Sequence, residues 1–129
     1  MSPSFPYAQI LAVAAGASVG AVLRWAAGLW LNAHASGFAY GTLAVNCVGG
    51  LLIGMAMVWF DRSPHELLRL LLVTGFLGGL TTFSAFSGES LALLQRGEYG
   101  WALVHALGHV VGSLACAAAG FRLMRIMLA

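Results

Sequence analysis

The chain has 129 residues, 60% of them hydrophobic and only 8% charged, with a net charge of +2 and a mean hydropathy of +0.90. A soluble domain carries about 25% charged residues, so this chain lacks the surface to stay in water and reads as an all-α integral membrane protein. All six basic residues are arginine and none form a cluster, which argues against a nucleic-acid partner, and there is no room for a soluble catalytic domain.

About 20 apolar residues cross the hydrocarbon core as a helix, and four such segments can be read: 8–31, 39–60, 67–95 and 99–127. The first lacks the basic flank of a cleaved signal peptide and is expected to be retained. Gly16, Gly20, Arg24 and Gly28 share one of its faces. Arg24 is its only charge, and at a helix centre an arginine costs about 2.5–3.5 kcal/mol on insertion scales. It either snorkels or faces a polar interior, where it would raise the local anion concentration.

The connection around 34–38 leads into the second segment, where Thr42, Asn46, Gly50 and Gly54 share a face. Small residues at this spacing let helices approach closely. The Asn46 amide brings donors and an acceptor that must be met, as interhelical glue or as a pore-lining donor. Cys47 and Cys116 lie in different apolar segments and read as small packing residues. The connection 61–66 contains Pro64, suited to a turn or a helix start.

The third segment runs well past the length needed and holds the sequence GFLGGLTTFSAF at 75–86. Each glycine costs about 1 kcal/mol against alanine in a helix, and β-branched threonine a few tenths more. In lipid, backbone polar groups must be satisfied internally, so a break there is tolerable only inside protein or beside a polar cavity. The expected break lies near 77–82, and broken helices at membrane depth mark ion or substrate sites.

After the break, Phe83 and Phe86 share a face, as do Ser84 and Ser87. The phenylalanines are packing residues or present electropositive ring edges to a small anion. The serines either bond their own backbone or form a row of hydroxyls that replaces the water of an anion. Glu89, near one end of this half-helix, is either a vestibule residue or an interfacial one.

In the fourth segment His105 and His109 are four apart, the spacing of two metal ligands. No third ligand is evident in the sequence, because the acids lie near segment ends. Ser113 follows one turn later and is a candidate to face the serines of the third segment. Arg62, Arg69, Arg122 and Arg125 flank one side of the membrane, against Arg96 and the deeper Arg24 on the other. That bias is modest and compatible with insertion in both orientations. No nucleophile–base pair, phosphate loop or cofactor fingerprint appears, so no enzyme is expected.

GASVGAVLRW (16–25), GTLAVNCVGG (41–50) and GFLGGLTTFSAF (75–86) together resemble the CrcB/Fluc family of fluoride channels, over the whole chain. The resemblance implies one unit, 1–129, with four transmembrane helices and a broken third helix, paired as an antiparallel dual-topology homodimer in the bacterial inner membrane. It implies two fluoride pores and a central structural sodium ion on the carbonyls of Gly78 and Thr81. Pore roles fall on Asn46, Phe83 and Phe86, with hydroxyls from Ser84, Ser87, Thr42 and Ser113, and vestibule roles on Arg24 and Glu89. Such a channel exports fluoride passively and relieves its toxicity.

Two departures stand out: Ala85 where the family has threonine, and His105 and His109 where tyrosine and serine are expected. Conduction or anion selectivity is therefore expected to vary with pH below about 6.5, the ordinary imidazole range. The competing reading is a dual-topology, proton-coupled exporter of the small multidrug type. That mechanism needs a membrane-embedded carboxylate, typically in the first helix, where this chain carries Arg24.

Overall fold

The computed structural model describes residues 6–33 and 37–129, so His34 to Ser36 of the first connection and residues 1–5 lie outside it. Four helical stretches are long and apolar enough to cross a membrane: Tyr7–Asn32, Tyr40–Arg62, Glu66–Gln95 and Tyr99–Met127. The first, α1 (Tyr7–Asn32), is 26 residues, or roughly 39 Å at 1.5 Å per residue. The second, α2 (Tyr40–Arg62), begins where the Asn32 side chain accepts from the Gly41 amide at 2.9 Å, meeting one of the free donors of a helix start.

The third stretch is composite. It opens with α3 (Glu66–Arg69), capped by the His65 ring, which accepts from the Leu68 amide at 3.1 Å. It widens into a π-helical run over Leu70–Leu77 and closes with the short α4 (Gly78–Leu80). Thr81 and Thr82 are extended, at φ −85°, ψ 158° and φ −156°, ψ 124°. Helix α5 (Phe83–Gln95) then starts under a Thr82 cap, the hydroxyl accepting from the Ala85 amide at 3.2 Å.

The reversal into α6 (Tyr99–Met127) is tight. Gly97 takes φ 73°, a left-handed conformation natural to glycine, while its amide donates to the Leu94 carbonyl and that of Glu98 to Leu93. These two bonds make a Schellman motif. The turn folds α5 back on α6, so residues roughly equidistant from Gly97 in sequence face each other.

Two pairings dominate: α1 against the π run and α4, and α2 against α6. Both are glycine-lined. A side chain at Gly16 or Gly20 would overlap the Leu71 or Phe76 carbonyl, and one at Gly79 would overlap Ala17. On the other seam, Gly54 and Gly120 press on the Ala117 and Leu51 carbonyls. With lipid as apolar as leucine, helices associate through such close packing and not through hydrophobic collapse. The sparse interior agrees with that. Among the described residues the buried hydrophobics are Val45, Val58, Leu77, Leu80, Leu93 and Ala102, while Leu11, Trp25, Trp30 and Leu114 stay exposed.

Candidate functional site

The site is built around the two extended threonines. Asn46, on α2, grips the backbone of Thr82 from both sides: its Oδ1 accepts from the Thr82 amide at 2.8 Å, and its Nδ2 donates to the Thr82 carbonyl at 3.0 Å. A peptide unit outside any helix is thereby satisfied inside the bundle, as lipid requires. The reciprocal pair also fixes which way the amide points, so Nδ2 is the atom 3.2 Å from His109 Nδ1. Asn46 thus acts as glue toward a backbone, 36 residues away in sequence, as well as standing at a cavity wall.

The same bonds draw the helical donors away from the Gly78 and Thr81 carbonyls. In a continuous helix the Thr82 amide would serve the Gly78 carbonyl, but it is taken by Asn46 Oδ1. The Ala85 amide would serve the Thr81 carbonyl, but it is taken by the Thr82 hydroxyl. Thr81 itself donates backward, its amide and hydroxyl both reaching the Leu77 carbonyl at 2.9 and 2.8 Å. Its methyl fills the space that Gly49 leaves on α2, where an added side chain would collide with it. Among the described residues no backbone amide reaches the carbonyls of Gly78, Leu80 or Thr81, and that of Gly79 is met by Arg24.

An open groove of about 640 Å³ lies alongside. It brings together Asn46, Gly78, Thr81, Phe83, Phe86 and Ser113, with His109 also in its wall. Phe83 and Phe86 are tilted at 48° with centroids 5.4 Å apart. Phe83 is 78% exposed on this chain, so nothing in the single subunit covers its ring.

The remaining candidates have other occupations. Ser87 donates to the Phe83 carbonyl at 2.9 Å, and Ser84 shares a hydrogen with the Thr82 cap at 3.2 Å, so both bond locally. Neither they nor Thr42 line the groove. Arg24 Nε donates to the Gly79 carbonyl at 3.0 Å, tying α1 to the backbone just before the extended pair.

Glu89 is held in a hydrogen-bonded network with α2 and α6. Its Oε1 accepts from Thr42 Oγ1 at 2.5 Å, and its Oε2 lies 3.2 Å from His105 Nε2. His105 Nδ1 in turn meets Ser90 Oγ at 3.0 Å. The ring of His105 is stacked on Phe86 (5.3 Å, 10°), with Phe38 edge-on at 5.3 Å and His109 at 4.5 Å. The absence of a third ligand, inferred from the sequence, is corrected here. Glu89 reaches both histidines because the Gly97 turn folds α5 onto α6, and linear distance along segments hides that. The sequence reading tied His105 and His109 to a pH-dependent conduction but not to the site, and their four-residue spacing was the available signal.

The family described as "CrcB-like protein, Camphor Resistance (CrcB)" matches residues 11–121. Among curated relatives, a "Fluoride-specific ion channel FluC" of Aromatoleum aromaticum is 56% identical over 113 residues, covering 86% of each chain. A protein of the same name from Cupriavidus pinatubonensis is 53% identical over 91% of this chain and 94% of its own. One from Pseudomonas aeruginosa is 49% identical over 93% and 96%. These relatives are channels by name, not enzymes. By the matched span and by these identities, the chain belongs to the CrcB family.

Proposed function

We propose that the chain is a fluoride-selective channel subunit that lets cytoplasmic fluoride run down its electrochemical gradient. The observation that carries the reading is the Asn46–Thr82 clamp, which leaves the Gly78 and Thr81 carbonyls unserved beside the Phe83–Phe86 pair. Curated relatives of about half identity carry the matching name.

In this reading the working unit is an antiparallel, dual-topology homodimer in the inner membrane, with two pores. The uncovered ring of Phe83 and the open groove are the surfaces a second copy would complete. The Gly78 and Thr81 carbonyls of both subunits would hold a structural sodium ion, and their donor chemistry suits one, since uncharged oxygens fit a hard monovalent cation. When bound, the ion supplies a fixed positive potential beside the anion path. Arg24, held at the Gly79 carbonyl, adds a second fixed positive charge on the same segment.

Fluoride is small and strongly hydrated, so a path must offer donors to offset dehydration while keeping each site weak enough to leave. The electropositive edges of Phe83 and Phe86 are donors of that weak kind. The Ser113 hydroxyl and the Asn46 amide line the same groove. Fluoride that enters a cell as its weak acid is trapped inside as the anion, and no energy source beyond its gradient is needed to release it.

The second reading, a proton-coupled exporter, gains one observation: the Glu89 carboxylate lies inside the bundle against His105, where a proton can be exchanged. Purified protein in fluoride-loaded liposomes separates the two. A channel releases fluoride only when valinomycin and potassium relieve the charge that builds up. An exporter releases its cargo in response to an imposed pH gradient, and that result would replace the channel reading.

A further inference from the structure

The sequence places two histidines at ligand spacing, and the fold adds a carboxylate. One ligand atom from each of Glu89, His105 and His109 can be chosen so that all three lie within 4.8 Å of one another. Glu89 Oε2 and His105 Nε2 are 3.2 Å apart. Bonds of about 2.0–2.1 Å to one tetrahedral zinc ion set neighbouring ligands roughly 3.3 Å apart, so this pair already stands at the edge length of such a site.

His109 supplies an independent sign. Its ring is 5% exposed, and its Nε2 is buried with no hydrogen-bond partner. Buried polar atoms without a partner are rare and call for a ligand. The outer atoms of two candidate ligands, by contrast, are held: Glu89 Oε1 by Thr42 and His105 Nδ1 by Ser90. Metal sites are built this way, with neighbours fixing each ligand's orientation. Phe86 and Phe38 close over the rings, and the Glu89 side chain, 26% exposed, is the side open to entry.

From this we propose that Glu89, His105 and His109 form a site for a first-row divalent cation, with Zn²⁺ the best fit, and that the occupied site closes the neighbouring anion path. Two imidazoles and one carboxylate are zinc ligands, and three protein ligands leave a fourth position open. A divalent cation there captures a hard anion too tightly to release it, which ends conduction. The closure rests on the channel reading given above; the binding does not.

The Asn46 geometry sets the terms of binding. Asn46 Nδ2 faces His109 Nδ1 and donates to it, so the neutral ring carries its proton on Nε2. For Nε2 to ligate, that proton moves to Nδ1 and the Asn46 contact to the ring is lost, while both Asn46 bonds to Thr82 remain. The site is thus built for a metal that outcompetes one hydrogen bond, which favours Zn²⁺ over Mg²⁺ and Ca²⁺.

The test uses full-length, untagged protein in detergent and in liposomes. Calorimetric titration is expected to show about one Zn²⁺ per chain, and Co²⁺ the visible absorption of a tetrahedral site. His109→Ser and Glu89→Gln are each expected to weaken Zn²⁺ binding by roughly tenfold or more. Size-exclusion elution like the parent's identifies which of the two has folded. Zn²⁺ is expected to stop fluoride efflux reversibly with EDTA in the parent, and to leave His109→Ser at that variant's own zinc-free rate. Zn²⁺ affinity unchanged in both variants would overturn the site and place the metal on other histidines. Binding with undiminished efflux would overturn the closure. Protein that carries no fluoride in the absence of Zn²⁺ refutes the channel reading and leaves the titration to decide the site.

Discussion

Replacing Asn46 by leucine tests the clamp that organises the site. Leucine keeps the number and branching of side-chain heavy atoms and removes both bonds to Thr82, at 2.8 and 3.0 Å, together with the contact to His109. The loss falls on the Thr82 amide, which has no helical acceptor in the extended conformation, whereas the Thr82 carbonyl, at the N-cap of α5, keeps the first bond of that helix. One buried polar group left without a partner costs about 1–3 kcal/mol, and the half-buried setting of Asn46 places the effect toward the lower end. An alternative relaxation is open to the variant: Thr82 can turn its amide back to the Gly78 carbonyl and extend α4 toward α5. That relaxation would remove the unserved carbonyls, so fluoride flux is lost by either route. The assay is thermal stability of the purified protein by residual monodisperse fraction, beside fluoride efflux from liposomes. A variant as stable as the parent with undiminished flux would refute the assignment of the clamp.

Phe83→Ile removes a ring that is 78% exposed on this chain, so the subunit is expected to keep its fold while fluoride efflux falls sharply; normal efflux would remove Phe83 from the path. Gly20→Leu places a side chain against the Phe76 carbonyl and the Leu80 amide, where backbone has no room to give. Separation of α1 from the third span follows, at a cost of about 1–3 kcal/mol or more. It should appear as aggregation on size exclusion, and monodisperse protein of parent stability would contradict the packing.

The four spans were legible in the sequence because lipid imposes one solution on a long apolar stretch. The segments read at 8–31, 39–60, 67–95 and 99–127 lie within a residue or two of the helical stretches, since backbone in hydrocarbon must remain bonded up to the interface. The glycines were legible as faces for the same reason: Gly16 and Gly20 fall one turn apart, and each meets a carbonyl of the third span. What escaped was decided across the bundle. Arg24 finds the Gly79 carbonyl 55 residues away, and nothing in the first segment's own pattern names that partner. Glu89 read as a vestibule or an interfacial residue by its place along the third segment, and the turn at Gly97 lays it against His105. The π-helical widening over Leu70–Leu77, which packs on α1, was not read from the sequence.

The central claim is that this chain conducts fluoride through a path organised by the clamped threonines and their free carbonyls. The most direct measurement is ion release from liposomes holding purified protein, with fluoride or chloride inside and with sodium present or fully replaced by a large organic cation. The account predicts rapid, electrogenic fluoride release, little chloride release, and reduced fluoride release without sodium. Equal release of both anions, or none of either in sodium, would contradict it.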